Sequence, residues 1–222
     1  MAYETITATI EDGIGQLTLN QPEKLNPLGT DTLQDIIDAA TFFNNENASV
    51  VIICGNGRAF TAGFDLREFS NPETTGKDGA VLGREMAEAV DRMKPVTIAS
   101  LHGYCVGGGV VLASACDLRI ASENTTFSIP EVDLGIPLAW GGIPRLVREI
   151  GPAMTKELVM TCRPFDAEEA KSLGFINRVV KDADLESQTM NMAEAIRKRP
   201  QSVIETTTAS ASSLVRNLPR RA

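Results

Sequence analysis

The stretch from Leu101 to Glu131 constrains this chain more than any other. An apolar, strand-like run, Val96 to Leu101, leads through His102-Gly103-Tyr104-Cys105-Val106 into Gly107-Gly108-Gly109. A helical segment of small residues follows, Val110 to Ala115, and the stretch closes on Pro130-Glu131. The first amides of a helix lack partners inside it and point outward. The macrodipole favours negative charge at that end, and glycine lets a ligand approach closely. Gly107 to Gly109 therefore reads in two ways. It is an anion or oxyanion site, or it lets this helix pack tightly on a strand.

The chain around this stretch has 222 residues, long for one domain and short for two, and can bury a sizeable core. Its net charge of −8 and pI near 4.8 argue against nucleic acid or an anionic membrane as partner, since both demand a basic face. No apolar run is long enough to predict a membrane span. Met1-Ala2-Tyr3-Glu4 carries neither a basic-then-apolar signal nor an Arg-rich leader, so a cytoplasmic location is expected. The four cysteines, Cys54, Cys105, Cys116 and Cys162, form no C-x-x-C pair, and His102 is the single histidine. A metal site is not expected. Three of the four cysteines sit in apolar surroundings and read as core thiols of a reducing compartment. His102 ends an apolar run and reads as a packed, hydrogen-bonded residue rather than a catalytic one. Nothing near it resembles a nucleophile elbow.

In chain order, Tyr3–Ile10 and Ile14–Leu19, joined through Asp12-Gly13, predict a β-hairpin. Gln21 to Pro27 is a polar loop. Thr30 or Asp31 can cap a helix carrying Leu33, Ile36, Ile37 and Ala40. Val50 to Cys54 is an unbroken β-branched run, as in a strand buried on both faces. Gly55 to Phe69 is a glycine-rich loop and Asn71 to Gly79 reads as mobile. Ala80 to Met93 predicts a helix with Val81, Met86 and Val90 inward. Asp117 to Ala121 is a short strand and Ser128 to Gly142 a loop holding Glu131, Asp133 and Trp140. Helices follow at Gly142–Ile150 and Ala153–Thr161, after Asp166 as a cap, and at Asp184–Arg199, with a strand end at Phe175–Val180. The stretch to Ala222 is weakly periodic. The interleaving of strands and helices gives an α/β or α+β class with no clear linker.

The residues along nearly the whole chain resemble the crotonase superfamily, the enoyl-CoA hydratase/isomerase family. The resemblance rests on Ile14 to Asn20 with Pro22 and Asn26, on Gly57-Arg58-Ala59-Phe60-Thr61-Ala62-Gly63-Phe64-Asp65-Leu66, and most specifically on Gly103-Tyr104 through Gly107-Gly108-Gly109 to Cys116-Asp117-Leu118-Arg119-Ile120-Ala121. Phe127, Pro130-Glu131, Leu134-Gly135, Gly141-Gly142, Arg145, Pro164, Ala167, Glu169-Ala170 and Gly174 extend it. It implies one crotonase-like domain over 1–222, a superhelix of ββα units to about residue 180 and a helical C-terminal segment from about 181. It also implies a homotrimer or dimer of trimers, an acyl-CoA substrate of fatty-acid metabolism, and no cofactor beyond the coenzyme A of the substrate itself. The amides of Phe64 and Gly108 would hold the thioester oxygen as it gains enolate character. Lys24, Leu25 and Ala62 would line the pantetheine and adenine, and Arg67 would meet phosphate.

Two departures from the family pattern matter. Phe64 is bulky where many members carry a small residue, and the chain ends several tens of residues earlier than members usually do, so pocket shape and assembly contacts can differ. Two-carboxylate hydratases of the family carry one Glu in the helix after the glycines and another in the loop. Here the helix position is Val111 and only the loop residue, Glu131, is acidic. Water addition uses two carboxylates well, whereas moving one proton between C2 and C4 of an enoyl thioester needs a single base. The expected activity is therefore enoyl-CoA isomerisation with Glu131 as proton shuttle. Hydration supported by Glu131 alone is the close alternative, and non-catalytic acyl-CoA binding is the rival from another class. A dinucleotide-binding oxidoreductase is disfavoured, because no G-x-G-x-x-G follows a strand. Asp65 and Asp117 read as turn and strand-end hydrogen-bonding residues, and Asp133 as lying outside the pocket.

Overall fold

The computed structural model describes residues 3–69 and 76–216. A six-stranded sheet runs in the order β1 (Ile6–Glu11), β2 (Ile14–Leu19), β3 (Val50–Gly55), β4 (Val96–Leu101), β6 (Leu118–Ser122) and β9 (Arg178–Val180). Only the β1–β2 hairpin is antiparallel in it. A second, three-stranded sheet joins β5 (Tyr104–Val106), β7 (Thr126–Ser128) and β8 (Phe165–Asp166). The helices are α1 (Thr30–Asn45), α2 (Leu66–Phe69), α3 (Gly76–Asp91), α4 (Gly108–Ala115), α5 (Gly142–Thr161), α6 (Ala167–Ser172), α7 (Leu185–Arg197) and α8 (Gln201–Arg216). Two turns of this ββα superhelix, β4-β5-α4 and β6-β7-α5, send their first strand to the large sheet and their second to the small one.

The β-branched run of β3 is buried on both sides for a visible reason. Val51 and Ile53 face the main core, which also holds residues of α1, α3, α4 and α5; Val50 and Ile52 face a second core closed by Leu185 and Ala193 of α7. Strand residues alternate faces, so a strand between two cores must be apolar throughout. Glycine and proline mark the helix breaks: α5 bends at Gly151 (φ +78°) just before Pro152.

Several expectations are refined. Asp166 caps α6 by accepting from the Glu169 amide at 2.7 Å. Neither Thr30 nor Asp31 caps α1: Gly29 occupies the cap, and the Thr30 amide donates to the Glu68 carboxylate at 3.0 and 3.1 Å. Val81 points outward, 56% exposed, while Met86 and Val90 are buried. Cys105 and Cys116 are buried, Cys54 and Cys162 only partly so, and all four are free thiols. The weakly periodic end is helical as α8, and most of the Asn71–Gly79 segment lies outside the described residues.

Candidate active site

Three chain segments are laced together on one side of the small sheet. Phe60 and Thr61 donate their amides to the carbonyls of His102 and Tyr104, and the Val106 amide donates back to Thr61. Thr61 thereby pairs in parallel with Cys105. Phe64 and Gly108 each lie three residues further along these two segments. Gly63 (φ +90°) makes the approach possible: a side chain there would collide with the Val106 carbonyl, and its first carbon would lie 3.7 Å from the Gly108 nitrogen. On the other side, Ala62 donates to the Leu25 carbonyl (2.9 Å) and Leu28 to the Gly63 carbonyl (2.8 Å). Buried Asn26 locks this turn, donating to the carbonyls of Asn56, Ala59 and Phe60. The hydroxyl of Thr61 donates to the Asn26 carbonyl at 2.5 Å and accepts from the Gly63 amide at 3.0 Å. Among the described residues, no hydrogen bond engages the amides of Phe64 or Gly108.

Those two residues border a cavity of about 210 Å³. Val111 of α4, Gly79 and Ala80 of α3, and Ile136 to Trp140 of the loop before α5 complete its apolar wall. Among the described residues, Glu131 is the one ionisable residue that lines it. Gly107 leaves the room: at φ +50° it takes a backbone shape that favours glycine, and the Glu131 carboxylate fills the space that a side chain there would occupy. One carboxylate oxygen of Glu131, Oε2, is buried with no hydrogen-bond partner among the described residues. Burial raises the pKa of Glu131 above the ordinary carboxylate range. A desolvated carboxyl with a raised pKa, in a cavity lined by two residues whose amides no hydrogen bond engages among the described residues, is suited to general acid–base work on a substrate that develops negative charge.

None of the other expected residues lines the cavity. Leu25 and Ala62 are joined by the backbone bond above. Lys24 and Arg67 are exposed. Arg67 is clasped by Asp65, Nε to Oδ1 at 2.9 Å and Nη2 to Oδ2 at 2.6 Å, which holds the Asp65 carboxyl below its usual range. Asp117 accepts from the Thr97 amide and hydroxyl at 2.8 and 2.9 Å, at the end of a strand. Asp133 is exposed and does not line the cavity. His102 is bonded through Nε2 to the Gly57 carbonyl at 2.9 Å. Among the described residues no cluster of three His, Cys, Asp or Glu side chains is placed to hold a metal ion, and no helix is long and apolar enough to cross a membrane. Sequence reasoning placed Trp140 in the loop but gave it no role.

Comparison with known proteins agrees with this geometry. The family model "Enoyl-CoA hydratase/isomerase" matches residues 9–221. A crotonyl-CoA hydratase of Syntrophomonas wolfei subsp. wolfei is 36% identical over 96% of this chain and 83% of its own length. A peroxisomal Δ(3,5)-Δ(2,4)-dienoyl-CoA isomerase of Arabidopsis thaliana is 34% identical over 87% of this chain and 75% of its own. A protein from Thermobifida fusca YX, solved in complex with CoA, superposes with a TM-score of 0.89 at 27% identity, covering 96% of this chain and 86% of that one. The chain belongs to the enoyl-CoA hydratase/isomerase family of the crotonase superfamily, and it is an enzyme of that family.

Proposed function

We propose that this enzyme acts on enoyl-CoA thioesters and moves their double bond. Glu131, ionised, takes a proton from C2 of a 3-enoyl thioester. The electron pair spreads into a dienolate whose oxygen accepts from the amides of Phe64 and Gly108. Glu131 then returns the proton at C4, which leaves the 2-enoyl thioester. One observation carries this reading: among the described residues, a single carboxylate lines an otherwise apolar cavity together with two residues whose amides make no hydrogen bond. Val111 stands where a second carboxylate would serve water addition. Lys24 and Arg67 are read as holding the CoA phosphates, with Leu25 and Ala62 along the pantetheine and adenine.

Hydration of a 2-enoyl thioester by Glu131 alone is the second reading, favoured by the similarity to a crotonyl-CoA hydratase. Incubation with paired 2-enoyl and 3-enoyl thioesters, products identified by mass and retention, separates the two. Isomerisation faster than hydration supports the first; hydration alone replaces it with the second. Binding of every thioester with turnover of none makes the chain an acyl-CoA binder. Assembly is read as a homotrimer or dimer of trimers, consistent with exposed Ile143, Val147 and Met160 on α5. A stable monomer in sedimentation at micromolar concentration would reject it.

A further inference from the structure

Trp140 is the only tryptophan of the chain, and its backbone sits at φ +57°, a region that bulky residues avoid. The surroundings hold it there. Its Nε1 donates to the Gly79 carbonyl at 3.0 Å. Arg145 Nη1 donates to the carbonyls of Trp140 and Gly141 at 3.4 and 3.3 Å. The indole lies against the bare backbones of Gly83 and Gly108, where any side chain would overlap it. The Phe64 ring meets it edge-on, with centroids 5.9 Å apart and planes at 82°. A tryptophan needed only to fill the core would not require a left-handed backbone. Such an outlier at a cavity wall points to function.

We propose that Trp140 is the specificity-determining residue of this site: it closes the acyl cavity and restricts the enzyme to short acyl groups. The proposal rests on the reading that the acyl group enters this cavity beside the two amides. The cavity is about 210 Å³. An enclosed cavity of ~150 Å³ admits six-carbon benzene, so the walled part of this one holds roughly four to eight acyl carbons. The indole is fixed on several sides, so it does not swing aside for a longer chain.

The test is kcat/KM for 3-enoyl and 2-enoyl thioesters from butenoyl to dodecenoyl, in the wild type, Trp140→Ala and Trp140→Phe. An excess methylene in a closed apolar pocket costs about 10-fold or more. The wild type should lose about that factor or more beyond octenoyl. Trp140→Ala should raise dodecenoyl relative to butenoyl by about 10-fold or more. Trp140→Phe, which keeps a ring but no N–H, should retain the wild-type order of preference. Trp140→Leu serves where the alanine variant does not fold, with the same direction. A wild type that uses dodecenoyl as well as butenoyl overturns the proposal. So does a uniform change at every chain length, which would make Trp140 a strut. If no thioester is turned over, the isomerase reading fails, but chain length is still readable by calorimetry with butanoyl- to dodecanoyl-CoA. The same break in affinity and its relief in Trp140→Ala then support the proposal, and a flat affinity profile overturns it.

Discussion

Glu131 and Glu149 are both largely enclosed carboxylates, and their surroundings are opposite. Glu149 of α5 accepts from Arg119 at 2.6 Å and from Arg148 at 2.8 Å. Arg119, only 4% exposed, is itself satisfied by the carbonyls of Phe175, Ala113 and Cys116 and lies over the Phe175 ring. Arg148 reaches Asp91 and the Ser114 carbonyl as well. Glu131 has apolar walls and one oxygen without a partner among the described residues. A buried charge whose partners are all present is part of the scaffold; removing one partner leaves the rest stranded. A buried carboxyl without a cation costs stability when ionised and gains a higher pKa, which makes it useful for carrying protons.

The largest expected effect comes from removing the unpaired member. Glu131→Gln keeps the shape and should lower kcat by about 10²–10⁴-fold, the usual worth of a general base. Full activity of this variant on every thioester that the wild type uses would remove Glu131 from the chemistry. Stability should move the other way. Burial lifts the folded-state pKa of Glu131 above its unfolded value of about 4.3. Its contribution is therefore most favourable below the unfolded pKa and is lost as pH rises through the folded one. Glu131→Gln should lack this dependence and melt higher than the wild type at neutral and alkaline pH, with little difference in acid. In the wild type, the acid limb of kcat/KM should lie above the ordinary carboxylate range.

Arg119→Met tests the paired member. It leaves Glu149 with Arg148 alone and takes the guanidinium from three carbonyls, and breaking a buried pair from one side typically costs about 3–5 kcal/mol. Denaturant unfolding should show a loss of that size, while kcat per folded molecule stays near the wild-type value. A loss within experimental error would mean that pairing does not separate the two regions.

Val111→Glu narrows the contrast by placing a second carboxyl in the cavity. Like charge and desolvation both favour one protonated and one ionised group, the combination that water addition uses. The ratio of hydration to isomerisation should rise, read from product mixtures. An unchanged ratio would mean that carboxylate number does not select the reaction.

How much of this could be read from residues alone follows from how local each cause is. The burial of β3 on both faces was legible in its β-branched run, and the Asp166 cap in the residues beside it. Glu131 and Phe64 were legible only through the family resemblance, and Gly108 as part of a glycine run that read as either an anion site or a packing device; the structure brings all three to one cavity. The α1 cap was not legible, because its donor and acceptor are 38 residues apart. The inward face of α3 was readable at Met86 and Val90 but not at Val81, which is exposed. Trp140 stayed silent because its partners, Gly79, Gly83, Gly108 and Phe64, come from segments that meet only through folding.

A third setting, full exposure, sets the smallest expected effect. The Arg67 side chain is 69% exposed and already paired with Asp65. Water and salt weaken both its bond to Asp65 and any bond it makes to a substrate phosphate. Arg67→Ala should therefore raise KM for a CoA thioester only about 2–5-fold, since exposed ion pairs contribute little, and leave kcat unchanged. The KM difference between wild type and variant should shrink as salt is raised. Lys24→Ala, at the neighbouring loop, should behave alike. A fall in kcat with either variant would mean that these exposed charges position the reacting carbons rather than only holding the phosphates, and charge in water would then be doing work that the comparison assigns to the interior.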